Sequence, residues 1–128
     1  MAKTIATILG AVFILVGLLG FVAPNLLGAH LSSTHNIIHL VSGALSLYLG
    51  LAGSLPATRM FCLIFGAVYL LLGLAGFVLG TGDGRMLHVI PNALELGTPD
   101  HIIHVLLGLI YLAGGLMTRE TARDAMAT

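Results

Sequence analysis

The residues best suited to chemistry in this chain are its six histidines: His30, His35, His39, His88, His101 and His104. Four of them form two close pairs, His35 with His39 and His101 with His104. Residues three or four apart share one face of a helix, so each pair would aim two imidazoles in one direction. Imidazole is the commonest protein metal ligand, and two such pairs on neighbouring helices would make a cage for zinc or copper. Asp100 could add a carboxylate to that cage. His39 and His104 alone could instead hold a haem iron from its two axial sides. The plainer role is structural, with a polar ring near a helix start bonding a loop carbonyl and closing the end of a bundle. His30 and His88 fall in connecting segments and are assigned nothing beyond support. Other catalytic constellations are missing. The chain has no Ser-His-Asp arrangement, no paired carboxylates within an apolar run and no phosphate-cradling glycine loop. The expectation is a protein that is not an enzyme.

The segments that must carry these histidines are strongly apolar. Of 128 residues, 58% are hydrophobic and 8% charged, with a mean hydropathy of +1.08. A soluble domain carries about 25% charged residues, so this chain cannot cover a water-facing surface, and its solvent must be lipid. A formal net charge of zero gives no basic face for nucleic acid. One cysteine without a Cys-x-x-Cys excludes a disulfide framework and a thiolate zinc site. A bilayer crossing takes roughly 20 apolar residues. Spans are expected near residues 4–23, 35–53, 60–80 and 101–117, joined by 24–34, 53–58 and 81–100. Ser33 and Thr98 would cap the second and fourth spans, with Pro99 at the first helical position. The predicted fold is all-α, a four-helix transmembrane bundle forming one domain over residues 1–128.

Lys3, Arg59, Arg119 and Arg123 fall on one side of these spans and Arg85 on the other. The positive-inside rule then makes both termini cytoplasmic and puts the histidines at the outer face. Lys3 ahead of an apolar run that ends in Phe21-Val22-Ala23 also fits a signal peptide. The recurrence of that run deeper in the chain argues for a retained span. Cys62 is expected as a small buried hydrophobe, and Tyr48, Tyr69 and Tyr111 as packing residues.

That recurrence is extensive. Residues 10–22 (GAVFILVGLLGFV) and 66–78 (GAVYLLLGLAGFV) agree at nine of thirteen positions. Ser33–Gly43 aligns likewise with Thr98–Gly108, pairing His39 with His104 and Asn36 with His101. The chain reads as a duplicated hairpin, repeat 1 over 4–53 and repeat 2 over 60–117. Both copies enter the membrane from the same side, as parallel repeats about an axis along the membrane normal. Gly10, Gly17 and Gly20 form a stripe that Gly66, Gly73 and Gly76 repeat, with Gly43 and Gly108 on the partner spans. Small residues let helices approach closely in lipid, where no hydrophobic drive brings them together.

These features resemble a bacterial family of small membrane proteins classed as a domain of unknown function. The shared signature is Asn-x-x-His-x3-Gly opening the second span (Asn36, His39, Gly43) and a related motif opening the fourth (Asp100, His104, Gly108). The resemblance implies a four-helix protein of the bacterial inner membrane with no established activity. His35 and His101 depart from the pattern, His101 standing where the family has asparagine. Three functions fit: an accessory or scaffold subunit docking with other membrane subunits, an outer-face transition-metal or haem binder, and a small permease. The first is favoured by the short connections, which leave contacts to the bilayer and to other helices.

Overall fold

The computed structural model describes residues 1–25, 31–91 and 93–120. His30 and Arg123 lie outside the described residues. Four helices account for most of the chain: α1 (Ala2–Val22), α2 (Ser33–Ala52), α3 (Leu55–Leu79) and α4 (Thr98–Met117). Each is long and apolar enough to cross a membrane. Large apolar side chains stand exposed along all four, among them Leu15, Val41, Leu71 and Leu106. A soluble monomer does not present so continuous an apolar surface, whereas acyl chains would solvate it.

The helix starts differ from expectation by a few residues, each for a local reason. Ser32, not Ser33, caps α2, its Oγ accepting from the His35 amide at 3.3 Å. Helix α3 begins five residues earlier than expected, because Ser54 accepts from the Ala57 amide at 3.2 Å and Pro56 fits the first turn. Thr98 is helical rather than a cap. The start of α4 is held by Asp100, whose Oδ2 accepts from the Gly97 amide at 2.8 Å. The 81–100 connection, expected as a plain turn, contains a small antiparallel hairpin of β1 (Leu87–Ile90) and β2 (Leu94–Leu96). Leu87 pairs with Leu96 and His88 with Glu95.

Glycines bring the helices of each pair into backbone contact. A Cβ placed on Gly10 would stand 2.5 Å from the Leu47 nitrogen of α2, and one on Gly43 would stand 2.8 Å from the Gly10 oxygen. In the second pair, a Cβ on Gly66 would lie 2.7 Å from the Leu112 nitrogen, and one on Gly108 would lie 2.5 Å from the Leu70 nitrogen. Gly17 and Gly73 pack against Leu40 and Val105, Gly20 against the Asn36 amide, and Gly76 against the His101 ring.

The core between the two pairs is aromatic. Phe13 stacks on Tyr69 with ring centroids 5.6 Å apart, and Phe61 meets Tyr111 edge-on at 5.8 Å. Cys62 is buried among them, and Tyr48 is exposed. The Ser46 hydroxyl donates to the Ala6 carbonyl at 2.7 Å and lies 2.9 Å from the Tyr111 hydroxyl, which must therefore donate to it. Such buried bonds between membrane helices contribute about 0.6 kcal/mol, and at most about 1.7. A Tyr111→Phe variant is expected to lose about that much stability in a detergent melt, with no change in helix content.

One end of the bundle gathers the chain start, the α2–α3 connection and the end of α4. The Ala2 amide donates to Thr118 Oγ1 at 2.8 Å, Lys3 Nζ to the Gly53 carbonyl at 2.5 Å, and Arg59 Nε to the Gly115 carbonyl at 2.8 Å. The histidines of α2 and α4 lie at the opposite end, beneath the hairpin.

Candidate metal centre

His35 and His39 sit one turn apart on α2, as their spacing requires, and both are buried. His104 enters from the first turns of α4 and is 3% exposed. One ring nitrogen from each of the three lies within 4.8 Å of the others. The His35 and His39 ring centroids are 4.2 Å apart, and those of His35 and His104 are 6.1 Å apart. The Nδ1 atoms of His39 and His104 are buried without a hydrogen-bond partner. Buried polar groups are rarely left so. An ordered water or a cation bonded there would resolve the deficit.

Phe13 packs on His39 at 5.4 Å between centroids, and Tyr69 packs on His104 at 5.5 Å. These rings fix the imidazole planes from below. Above them, Leu94 and Leu96 of β2 join Ile38 and Leu72 around a cavity of about 40 Å³ that the three histidines and Tyr69 also line. The hairpin is secured by the Ser32 hydroxyl, which donates to the Ala93 carbonyl at 2.5 Å, and by the Thr98 amide, which donates to the Gly84 carbonyl at 3.0 Å.

His101, expected as a fourth nitrogen ligand, does not join the cluster. Its Nε2 donates to the Arg85 carbonyl at 2.7 Å, and its ring stands against Phe77 and Gly76. It faces α3, three positions before His104 on the same helix. Arg85 adopts a left-handed backbone with φ of 50°, which turns its carbonyl toward this ring. His101 therefore serves the structural role that was the plainer alternative, pinning the 81–86 turn. Asp100 is 2% exposed and interacts electrostatically with both His39 and His104. His88 sits on the hairpin surface, its Nδ1 3.4 Å from the Glu95 carboxylate. The lining residues Tyr69, Leu94 and Leu96 were not candidates in the sequence, although alternating Leu94-Glu95-Leu96 is a strand signal.

The three histidines thus occupy the N-terminal turns of α2 and α4, at one end of the bundle. A family model described as a domain of unknown function, DUF4383, matches residues 3–117. The chain belongs to the DUF4383 family. No curated protein and no solved structure matches it. Membership in DUF4383 covers all four helices and the hairpin, so fold and candidate centre belong to one domain. It assigns no activity.

The haem alternative meets a physical obstacle in this DUF4383 chain. An engineered cavity of about 150 Å³ holds a single benzene ring, and the space between His39 and His104 is far smaller than that. A porphyrin would have to displace Phe13, Tyr69 and the hairpin together. An ion with one bound water needs no such displacement.

Proposed function

We propose that this protein is a multi-pass membrane protein that binds a transition-metal ion of the zinc or copper class through His35, His39 and His104, without catalysing a reaction. The convergence of three buried imidazoles carries the proposal, since the orphaned nitrogens alone do not distinguish this site. His101 Nδ1 and Asn36 Oδ1 are also buried without partners, but neither lies where three donors meet. Histidine nitrogens are common zinc donors, and a non-catalytic site closes with a fourth ligand.

The size of the cavity supports a binding role over an enzymatic one. About 40 Å³ admits an ion and a water but no organic substrate. A permease would need a path through the middle of the bundle, where the packed rings of Phe13, Phe61, Tyr69 and Tyr111 stand. Docking with other membrane subunits rests on the exposed apolar faces, which lipid alone satisfies. We place the protein in a bacterial inner membrane with both termini cytoplasmic and the histidines outside. Supporting this, Lys3 and Arg59 share the end of the bundle opposite the histidines.

Metal analysis of protein purified in detergent, after zinc loading and removal of free ion, tests the reading. One zinc per chain is expected, and His104→Ala should reduce it to background while leaving helix content unchanged. Zinc retained at full stoichiometry by His104→Ala would refute the assignment.

A further inference from the structure

We infer that Asp100 is the fourth ligand of this centre, and that the completed set of three imidazoles and one carboxylate takes a divalent cation of the zinc class in preference to monovalent copper. The inference rests on the metal-binding reading above and names both the missing ligand and the class of ion.

The first support is positional. The alignment that pairs His39 with His104 pairs His35 with Asp100. Some residues paired by the same alignment meet one another across the bundle, whereas Asn36 and His101 pack within separate helix pairs against Gly20 and Gly76. Phe13 stacks on Tyr69 at 5.6 Å, and Ser46 hydrogen-bonds Tyr111 at 2.9 Å. His39 and His104 also meet within the cluster. Residues 35 and 39 lie four apart on α2, and 100 and 104 lie four apart on α4, so each pair shares a face. His35, His39 and His104 converge with one nitrogen each within 4.8 Å of the others, and Asp100 precedes His104 by four residues on the same helix.

The second support is chemical. Asp100 is buried, and its carboxylate interacts electrostatically with both His39 and His104. Its Oδ2 accepts from the Gly97 amide. A carboxylate carries two oxygens with about four lone-pair sites, so one carboxylate can hold a helix cap and a cation together. Asp oxygen and His nitrogen are compatible zinc donors at similar distances of about 2.0–2.2 Å. The walls of the cavity are otherwise apolar, through Ile38, Leu72, Leu94 and Leu96. A doubly charged ion held there by neutral imidazoles alone would remain an uncompensated buried charge. One carboxylate halves that charge. Monovalent copper has less charge to compensate and favours softer donors than a carboxylate, so Asp100 benefits it less.

Asp100→Asn is the informative variant, because its amide oxygen can still accept from Gly97. Zinc affinity, measured by competition with a chromophoric chelator, is expected to fall on the order of 10- to 100-fold. The visible band of the cobalt-substituted protein should shift, and cuprous-ion affinity should fall by a smaller factor than zinc affinity. If Asp100→Asn keeps both zinc affinity and the cobalt spectrum while His39→Ala loses both, Asp100 is only a cap. The three-histidine centre would then stand without it. If His39→Ala also keeps both, the metal-binding reading fails and this inference falls with it. Should Asp100→Asn lose helicity, the unmodified protein decides through its infrared difference spectrum on zinc loading. A displaced carboxylate stretch is expected, and its absence overturns the assignment.

Discussion

Metal-free His39→Leu protein is expected to melt no lower than the unmodified chain, and to lose all stabilisation by zinc. Leucine has nearly the volume of histidine and would pack against Phe13, which already lies 5.4 Å from the imidazole. The substitution also removes a buried Nδ1 that has no partner. An unmet buried polar group costs roughly 1–3 kcal/mol, so its removal offsets whatever packing is lost. Zinc acts in the opposite sense on the unmodified protein. A ligand that binds only the folded state stabilises it by about 4.1 kcal/mol when present at a thousand times its dissociation constant. Thermal melts followed by circular dichroism, with zinc and with a chelator, therefore separate a ligand from a structural ring. A ligand shows an undiminished metal-free melt and no zinc response. A ring that serves only packing would show a depressed melt in both conditions, and that result would remove His39 from the centre.

The second large effect is mechanical. Gly108→Val is expected to destabilise the bundle by about 3 kcal/mol, the upper part of the range for overpacking. Even the first added carbon would stand 2.5 Å from the Leu70 nitrogen and 2.8 Å from the Gly66 oxygen. Both are backbone atoms and cannot rotate away, so α3 and α4 would have to part. Because α4 carries His104 and Asp100, zinc binding should weaken together with the melt. Gly84→Ala provides the control, since its added carbon would meet nothing closer than Met86 at 3.9 Å. Equal melts for Gly108→Val and Gly84→Ala would show that the close approach of these helices contributes nothing.

How far the sequence disclosed this architecture depends on the kind of signal. The four helices follow from runs without charge, since a bilayer crossing leaves a compositional trace roughly 20 residues long. The meeting of His39 with His104 follows from pair spacing combined with the repeat. Spacing failed for His101. It sets which residues share a helix face, but not which neighbouring carbonyl competes for a ring. The Arg85 carbonyl, supplied by a turn 16 residues upstream, is a tertiary partner that no local pattern announces. The early start of α3 was legible in Ser54-Leu55-Pro56, a cap followed by proline in the first turn. It was obscured because the same residues also read as a turn. The hairpin was faint for a different reason, since strands of three and four residues are too short for alternation to stand out.

The hairpin also governs time. Leu94 and Leu96 lie across the outer mouth of the histidine cluster, and Ser32 and Thr98 tether the flap at both flanks. An ion held beneath it would exchange more slowly where those tethers stay closed, so the breathing of the polypeptide would help to set its residence time.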